Sequence, residues 1–273
     1  MNPKEIEAGL TSTDYRTRLR WAEDRSFTPT YEQIRRGLID DEWDVSLAWA
    51  ERIDIGQYPE LVEKALTSRH IETREGMVQR EDFIPTPEQI ERGLKDEDWS
   101  LRVAWAEKTN WTPTPEQVER GLTDDSWRVR KAWVERMDWT PTPEQVERGL
   151  TDKDERVRER WVRRMDFTPT PEQIERGLTD LHRYTRWAWA KRTDYTPTPE
   201  QIDRGLRDYD EDIRACWILK KEFCPTKDRI RRGLKSTNAC IRSAWQKKVS
   251  EMCNSIEEPE SESDALFLTS TSI

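Results

Sequence analysis

The chain has 273 residues, 37% of them charged and 34% hydrophobic, with a formal charge of −9 at pH 7. So little apolar content argues against one large core and suits an array whose units each bury a thin core against their neighbours. Residues 250–273 hold six acids and no Lys or Arg, leaving the rest at −3, so charge implies no generic affinity for nucleic acid or an anionic membrane.

The sequence enters a repeat almost at once, through Pro3, Ile6 and Leu10. That leaves no room for a signal peptide, and no apolar run reaches transmembrane length, so a cytoplasmic protein without membrane association is expected. Trp21, Trp49, Trp105, Trp133, Trp161, Trp189, Trp217 and Trp245 share a 28-residue lattice, with Met77 in the missing slot. A second lattice runs Gly9, Gly37, Ala65, Gly93, Gly121, Gly149, Gly177, Gly205 and Gly233, and leucine follows every time. In-register copies without insertion predict an all-α solenoid of about nine helical-hairpin repeats over residues 1–249.

Residues 112–139 illustrate one unit. Thr114 is placed to cap a helix, Pro115 fits its first position, and Gln117 completes a capping box. Val118, Gly121 and Leu122 follow on one face, and this short first helix ends near Thr123. Asp124 and Asp125 mark the turn to a second helix with an expected apolar face of Val129, Ala132, Trp133 and Met137. Arg136 falls in its last turn, complementing the helix dipole. Thr140-Pro141-Thr142-Pro143 then stops it and starts the next unit.

The glycine slot reads as a close approach by a tryptophan of a neighbouring helix, or else as a helix-end position. Because Ala65 occupies it once, Gly121→Ala is expected to be near neutral. The third repeat departs from the pattern: it lacks Thr-Pro-Thr-Pro, carries Gly56, and has Met77 for tryptophan. It reads as a bend or as a drifted unit.

The run Asp-x4-Val-Arg-x-Ala-Trp, as in Asp124–Trp133, with the Thr-Pro segment after it, resembles the leucine-rich repeat variant and the related HEAT repeats. The resemblance covers about nine-tenths of the chain and implies a right-handed α-superhelix that binds partners. It also implies an aspartate–arginine ladder between adjacent units, on Asp96/Arg102, Asp124/Arg130, Asp152/Arg158, Asp180/Arg186 and Asp208/Arg214. The sequence departs from the variant in its longer unit, its lattice tryptophan and the lack of an iron–sulfur ligand cluster ahead of the array.

No catalytic constellation, metal site or cofactor motif emerges. The two histidines are isolated, and Cys216, Cys224, Cys240 and Cys253 form no C-x-x-C pair. Three slots are basic in eight of nine repeats, represented by Arg130, Arg120 and Arg136. The Arg130 slot reads as an inter-repeat salt bridge with the aspartates, and the other two as self-paired, solvated faces, with Glu116 and its equivalents four residues before the Arg120 slot. The competing reading is a nucleic-acid track that contacts phosphates through these arginines.

Recognition slots vary where structural slots repeat. One variable slot holds Tyr15, Trp43, Ile71, Trp99, Trp127, Glu155, Arg183, Glu211 and Ala239; the next holds Leu19, Leu47, Glu75, Val103, Lys131, Glu159, Trp187, Ala215 and Ser243. Trp43, Trp99, Trp127, Lys131 and Trp187 are the candidate partner-binding residues of a non-enzymatic protein-binding scaffold, since tryptophan is enriched at interface hot spots. Alternatively the first three pack on aromatics such as Trp111 and Trp139. The acidic, Ser/Thr-rich segment 250–273 is expected to be a disordered tail. Ser261 and Ser263 are candidate phosphorylation sites, and Thr271-Ser272-Ile273 resembles a PDZ ligand end.

Overall fold

In a computed structural model, which describes residues 2–257, the Thr-Pro-Glu-Gln segments start helices as their chemistry requires. Thr114 Oγ1 accepts from the Gln117 backbone N–H at 3.3 Å, and Gln117 Oε1 accepts from the Thr114 N–H at 2.9 Å. The same reciprocal box caps the helices that follow Thr30, Thr86, Thr142, Thr170 and Thr198. Each such cap is worth about 1 kcal/mol.

Eighteen helices and no strands are found among the described residues, in nine hairpins of a short A helix and a B helix. The chain divides after Thr140 into two compact units. The first holds α1 (Pro3–Leu10), α2 (Tyr15–Glu23), α3 (Tyr31–Gly37), α4 (Trp43–Ala50), α5 (Pro59–Leu66), α6 (Ile71–Gln79), α7 (Pro87–Gly93), α8 (Trp99–Glu107), α9 (Pro115–Leu122) and α10 (Trp127–Glu135). The second holds α11 (Pro143–Leu150), α12 (Glu155–Arg163), α13 (Pro171–Leu178), α14 (Arg183–Lys191), α15 (Pro199–Gly205), α16 (Glu211–Ile218), α17 (Lys227–Leu234) and α18 (Ala239–Glu257). Within each unit, successive B helices pack side by side, and each A helix packs on its own B helix. Both units are therefore α-solenoid stacks.

The lattice tryptophans form the core: Trp133, Trp161, Trp189 and Trp217 are essentially inaccessible to solvent. Each lies over the glycine of its own repeat's A helix, not over that of a neighbouring repeat. A Cβ on Gly121 would sit 2.1 Å from Trp133 Nε1. The expectation that Gly121→Ala is near neutral is thereby corrected. Ala65 is accepted because its partner slot holds Met77, fully buried but flexible and without a ring. Met137 is a second correction, since α10 ends at Glu135 and leaves Met137 exposed, with Val134 taking its place in the core.

The third repeat keeps its hairpin and register, with α5 starting at Pro59 and no positive backbone φ at Gly56. The last helix, α18, runs on to Glu257 and so covers residues 250–257 of the expected tail; no proline or glycine interrupts it before Pro259. Ser261, Ser263 and Thr271-Ser272-Ile273 lie outside the described residues.

Candidate partner-binding surface

The first residue of each B helix and the residue four positions on lie on one helix face. In the first unit these are Tyr15, Trp43, Ile71, Trp99 and Trp127, followed by Leu19, Leu47, Glu75, Val103 and Lys131. Because α2, α4, α6, α8 and α10 pack in sequence, the residues form a continuous double row. Trp43 is 48% and Trp99 42% exposed, a large cost for an indole unless something covers it. Trp127 is half-buried. Arg128, which the sequence reading missed, places its guanidinium 4.5 Å from the Trp99 ring and 4.6 Å from the Trp127 ring. Its position one residue after Trp127 was the available signal.

Trp111 and Trp139 do not serve this row. Trp111 packs edge-to-face on Trp133 at 6.2 Å, and Trp139 Nε1 donates to the Trp133 carbonyl at 3.2 Å. Leu47 is also structural, because it fills the space over Gly76 of α6, where a Cβ would approach Leu47 Cδ1 to 2.3 Å.

One helical turn further along the face, the row becomes acidic. Burial holds the Glu107 carboxyl above its ordinary value, and repulsion from Glu135 and Glu75 adds to the shift while Lys131 opposes it. Lys131 pairs with Glu135 at 3.2 Å. The first unit thus offers exposed indoles and the Glu107 carboxyl on one helix face. Trp187, in the second unit, has different surroundings: Lys191 lies 4.5 Å and Arg163 5.4 Å from its ring, beside a cleft of about 410 Å³.

The basic slots are mostly occupied by internal partners. Arg102 shows the ladder geometry: its Nη1 donates to the Asp96 carbonyl at 2.8 Å, while Nε and Nη2 grip the Asp124 carboxylate of the next repeat at 2.7 and 2.9 Å. The aspartate six residues back therefore supplies its carbonyl, and the carboxylate comes from 22 residues ahead. Arg18–Asp40, Arg158–Asp180 and Arg186–Asp208 repeat the forked pairing.

The second slot corrects the expected pairing within a helix. Arg120 pairs with Glu91 of the preceding repeat at 3.0 Å, not with Glu116. Arg36–Glu7, Arg92–Glu63, Arg176–Glu147 and Arg204–Glu175 do likewise. Glu116 instead bonds its own backbone N–H and Thr114 at the helix start, and these bonds lower its carboxyl pKa. The third slot is largely withdrawn from solvent: Arg136 is 4% exposed and donates to the carbonyls of Ala106, Lys108 and Trp111 in the preceding repeat.

Among the described residues no group of His, Cys, Asp and Glu could hold a metal ion, and no helix is long and apolar enough to cross a membrane. The four cysteines are free thiols.

No protein-family model and no curated protein matches this sequence at a significant level. Among solved structures the chain is similar to one described as a leucine-rich repeat variant with a novel repetitive protein structural motif, at 19% identity, covering 86% of this chain and 83% of that one, with a TM-score of 0.53. The chain therefore has the all-α repeat fold of the leucine-rich repeat variant, built from 28-residue helical hairpins.

Proposed function

We propose that the chain is a non-enzymatic, cytoplasmic protein-binding scaffold whose contact surface is the B-helix row of the first unit. The observation that carries this reading is the exposure of Trp43 and Trp99 on packed helices, in a protein that buries Trp49, Trp105, Trp133, Trp161, Trp189, Trp217 and Trp245 in its core. Rigid indoles lose little entropy on binding and fill partner pockets well. Glu75 and Glu107 on the same helix face favour a partner with apolar anchors flanked by Lys or Arg.

The nucleic-acid reading is weaker because most arginines of the second slot are answered by a glutamate and those of the third donate into the protein. A salt titration of the full chain with duplex DNA, single-stranded DNA and RNA separates the two. The scaffold reading predicts binding that disappears near about 150 mM salt. Tight binding at that salt, lost on charge reversal of Arg120, Arg176 and Arg204, would replace it with the nucleic-acid reading.

A further inference from the structure

The cleft between the last two repeats differs in chemistry from its counterpart in the first unit. It lies among α15, α16, α17 and α18, has a volume of about 480 Å³, and is lined by Arg207, Arg214, Arg229, Arg232, Asp203 and Ser236 over an apolar floor that includes Trp245. The same lattice positions, 140 residues earlier, line a cleft of about 240 Å³ in the first unit. There the charges cancel: Arg74 meets Asp96 at 3.4 Å and Arg92 meets Glu63 at 2.8 Å, with Thr67 and Gln89 neutral.

Three replacements move the later cleft toward positive charge, and a fourth shortens its one carboxylate. Ser236 stands in the ladder-aspartate slot of Asp96, Arg229 in the slot of Gln89, Arg207 in that of Thr67, and the shorter Asp203 in that of Glu63. Over these six positions the early cleft nets zero and the later one three positive charges.

The hydrogen bonds follow the replacements. Arg214 keeps only the carbonyl half of the ladder, donating to Asp208 O at 2.7 Å. Asp203 is taken by Arg229 at 2.9 Å. Arg232, whose equivalents Arg36, Arg92, Arg120, Arg176 and Arg204 each hold a glutamate, reaches only the Asp228 carbonyl of its own helix at 3.4 Å. Among the described residues Arg207, Arg214 and Arg232 make no ion pair. Three guanidinium groups with unused donors around an open cleft match an oxyanion carrying several acceptor oxygens, and arginine forks suit phosphate in particular. The apolar floor suits an organic group attached to it.

We propose that this cleft binds a phosphate-bearing ligand, with Arg207, Arg214 and Arg232 contacting the phosphate oxygens and Arg229 held in place by Asp203. The test is isothermal titration of the full chain with inorganic pyrophosphate at low chloride. One saturable site per chain is expected. Arg214→Gln should weaken it roughly tenfold, the loss of one charge-assisted hydrogen-bonding group.

Ser236→Asp restores the carboxylate that Asp96 supplies in the early cleft. It should abolish binding while leaving the thermal transition as high as in the parent, so its effect is separable from misfolding. Arg74→Gln, in the early cleft, should leave binding unchanged. Absence of a saturable site, undiminished binding in the Ser236→Asp chain, or equal loss in the Arg74→Gln chain would overturn the proposal. Tighter binding of a glutamate peptide than of pyrophosphate would overturn the phosphate assignment in favour of a carboxylate ligand.

Discussion

Gly121→Ala is the sharpest probe of how the repeats are held together. An added methyl would lie 2.1, 2.2 and 2.3 Å from three atoms of the Trp133 indole, about half a normal contact distance. The ring is rigid and only 1% exposed, so it cannot swing into solvent. Overpacking of this kind costs about 3 kcal/mol, the upper end of the usual range. Replacing glycine by alanine within a helix returns about 0.5–1 kcal/mol, so the net loss is about 2 kcal/mol.

The third repeat supplies the control, because it pairs Ala65 with Met77. Trp133→Met alone should also destabilise, by leaving a void where the ring was. In the double variant the added methyl occupies part of that void, giving a favourable coupling of about 2 kcal/mol in a double-mutant cycle. Urea unfolding followed by circular dichroism and indole fluorescence measures all four corners. Additivity of the two substitutions, or a Gly121→Ala chain as stable as the parent, would refute the glycine–indole contact as the reason for the lattice.

Arg136→Ala strands the Ala106, Lys108 and Trp111 carbonyls and removes a buried, stacked guanidinium, so a loss of about 3–5 kcal/mol is expected in the same unfolding assay. Arg136→Lys should lose less, since Lys108 serves this slot with one bond to the Arg80 carbonyl at 2.9 Å. The Glu91 carboxyl, bonded first by Arg120 and then by Lys95, is lowered from 4.5 to about 2. A lowered folded-state pKa contributes stability that is complete above about 4.5 and lost as pH falls toward about 2. Glu91→Gln should therefore lower stability at pH 7 by under about 1 kcal/mol, because the pair is partly exposed and screened. The difference from the parent should close as pH falls between those two values.

Features set by local chemistry were legible in the sequence. Thr114, Pro115 and Gln117 announce a helix start because the capping bonds span only three residues. The 28-residue lattice announces the stack because eight copies carry a tryptophan at the same position and the third carries Met77. Long side chains that cross from one repeat to the next were not legible in the same way. Arg120 was matched to Glu116 because they share a helix face, but its side chain reaches Glu91, 29 residues back. Arg136 looked like an exposed last-turn cation because sequence position does not reveal that the preceding repeat turns three carbonyls toward it.

One cross-repeat signal was present and unused. Ser46 is the only gap in the arginine ladder, and Ser68 fills the aspartate slot 22 residues later. Their joint loss identifies the ladder partners. Ala65 was misread for the same reason: a substitution at one lattice point was judged without its partner Met77. The first variable slot was read as surface, and Trp43 and Trp99 there are exposed, while Leu47 of the second slot packs over Gly76. The variable slots could not show Arg128 seated against Trp99 and Trp127, which depends on how adjacent helices pack.

The central claim, that the aromatic row of the first unit is a protein-binding surface, is tested most directly by comparative capture. The intact chain, a Trp43→Ala/Trp99→Ala/Trp127→Ala chain and an Arg120→Glu/Arg176→Glu/Arg204→Glu chain are used as baits in extracts of the native host, with and without nuclease, and quantified by mass spectrometry. The account predicts a protein retained by the parent and by the arginine variant, insensitive to nuclease, and lost with the tryptophan variant while its helical circular dichroism stays intact. Retention by the tryptophan variant, or loss with the arginine variant and with nuclease, would contradict it.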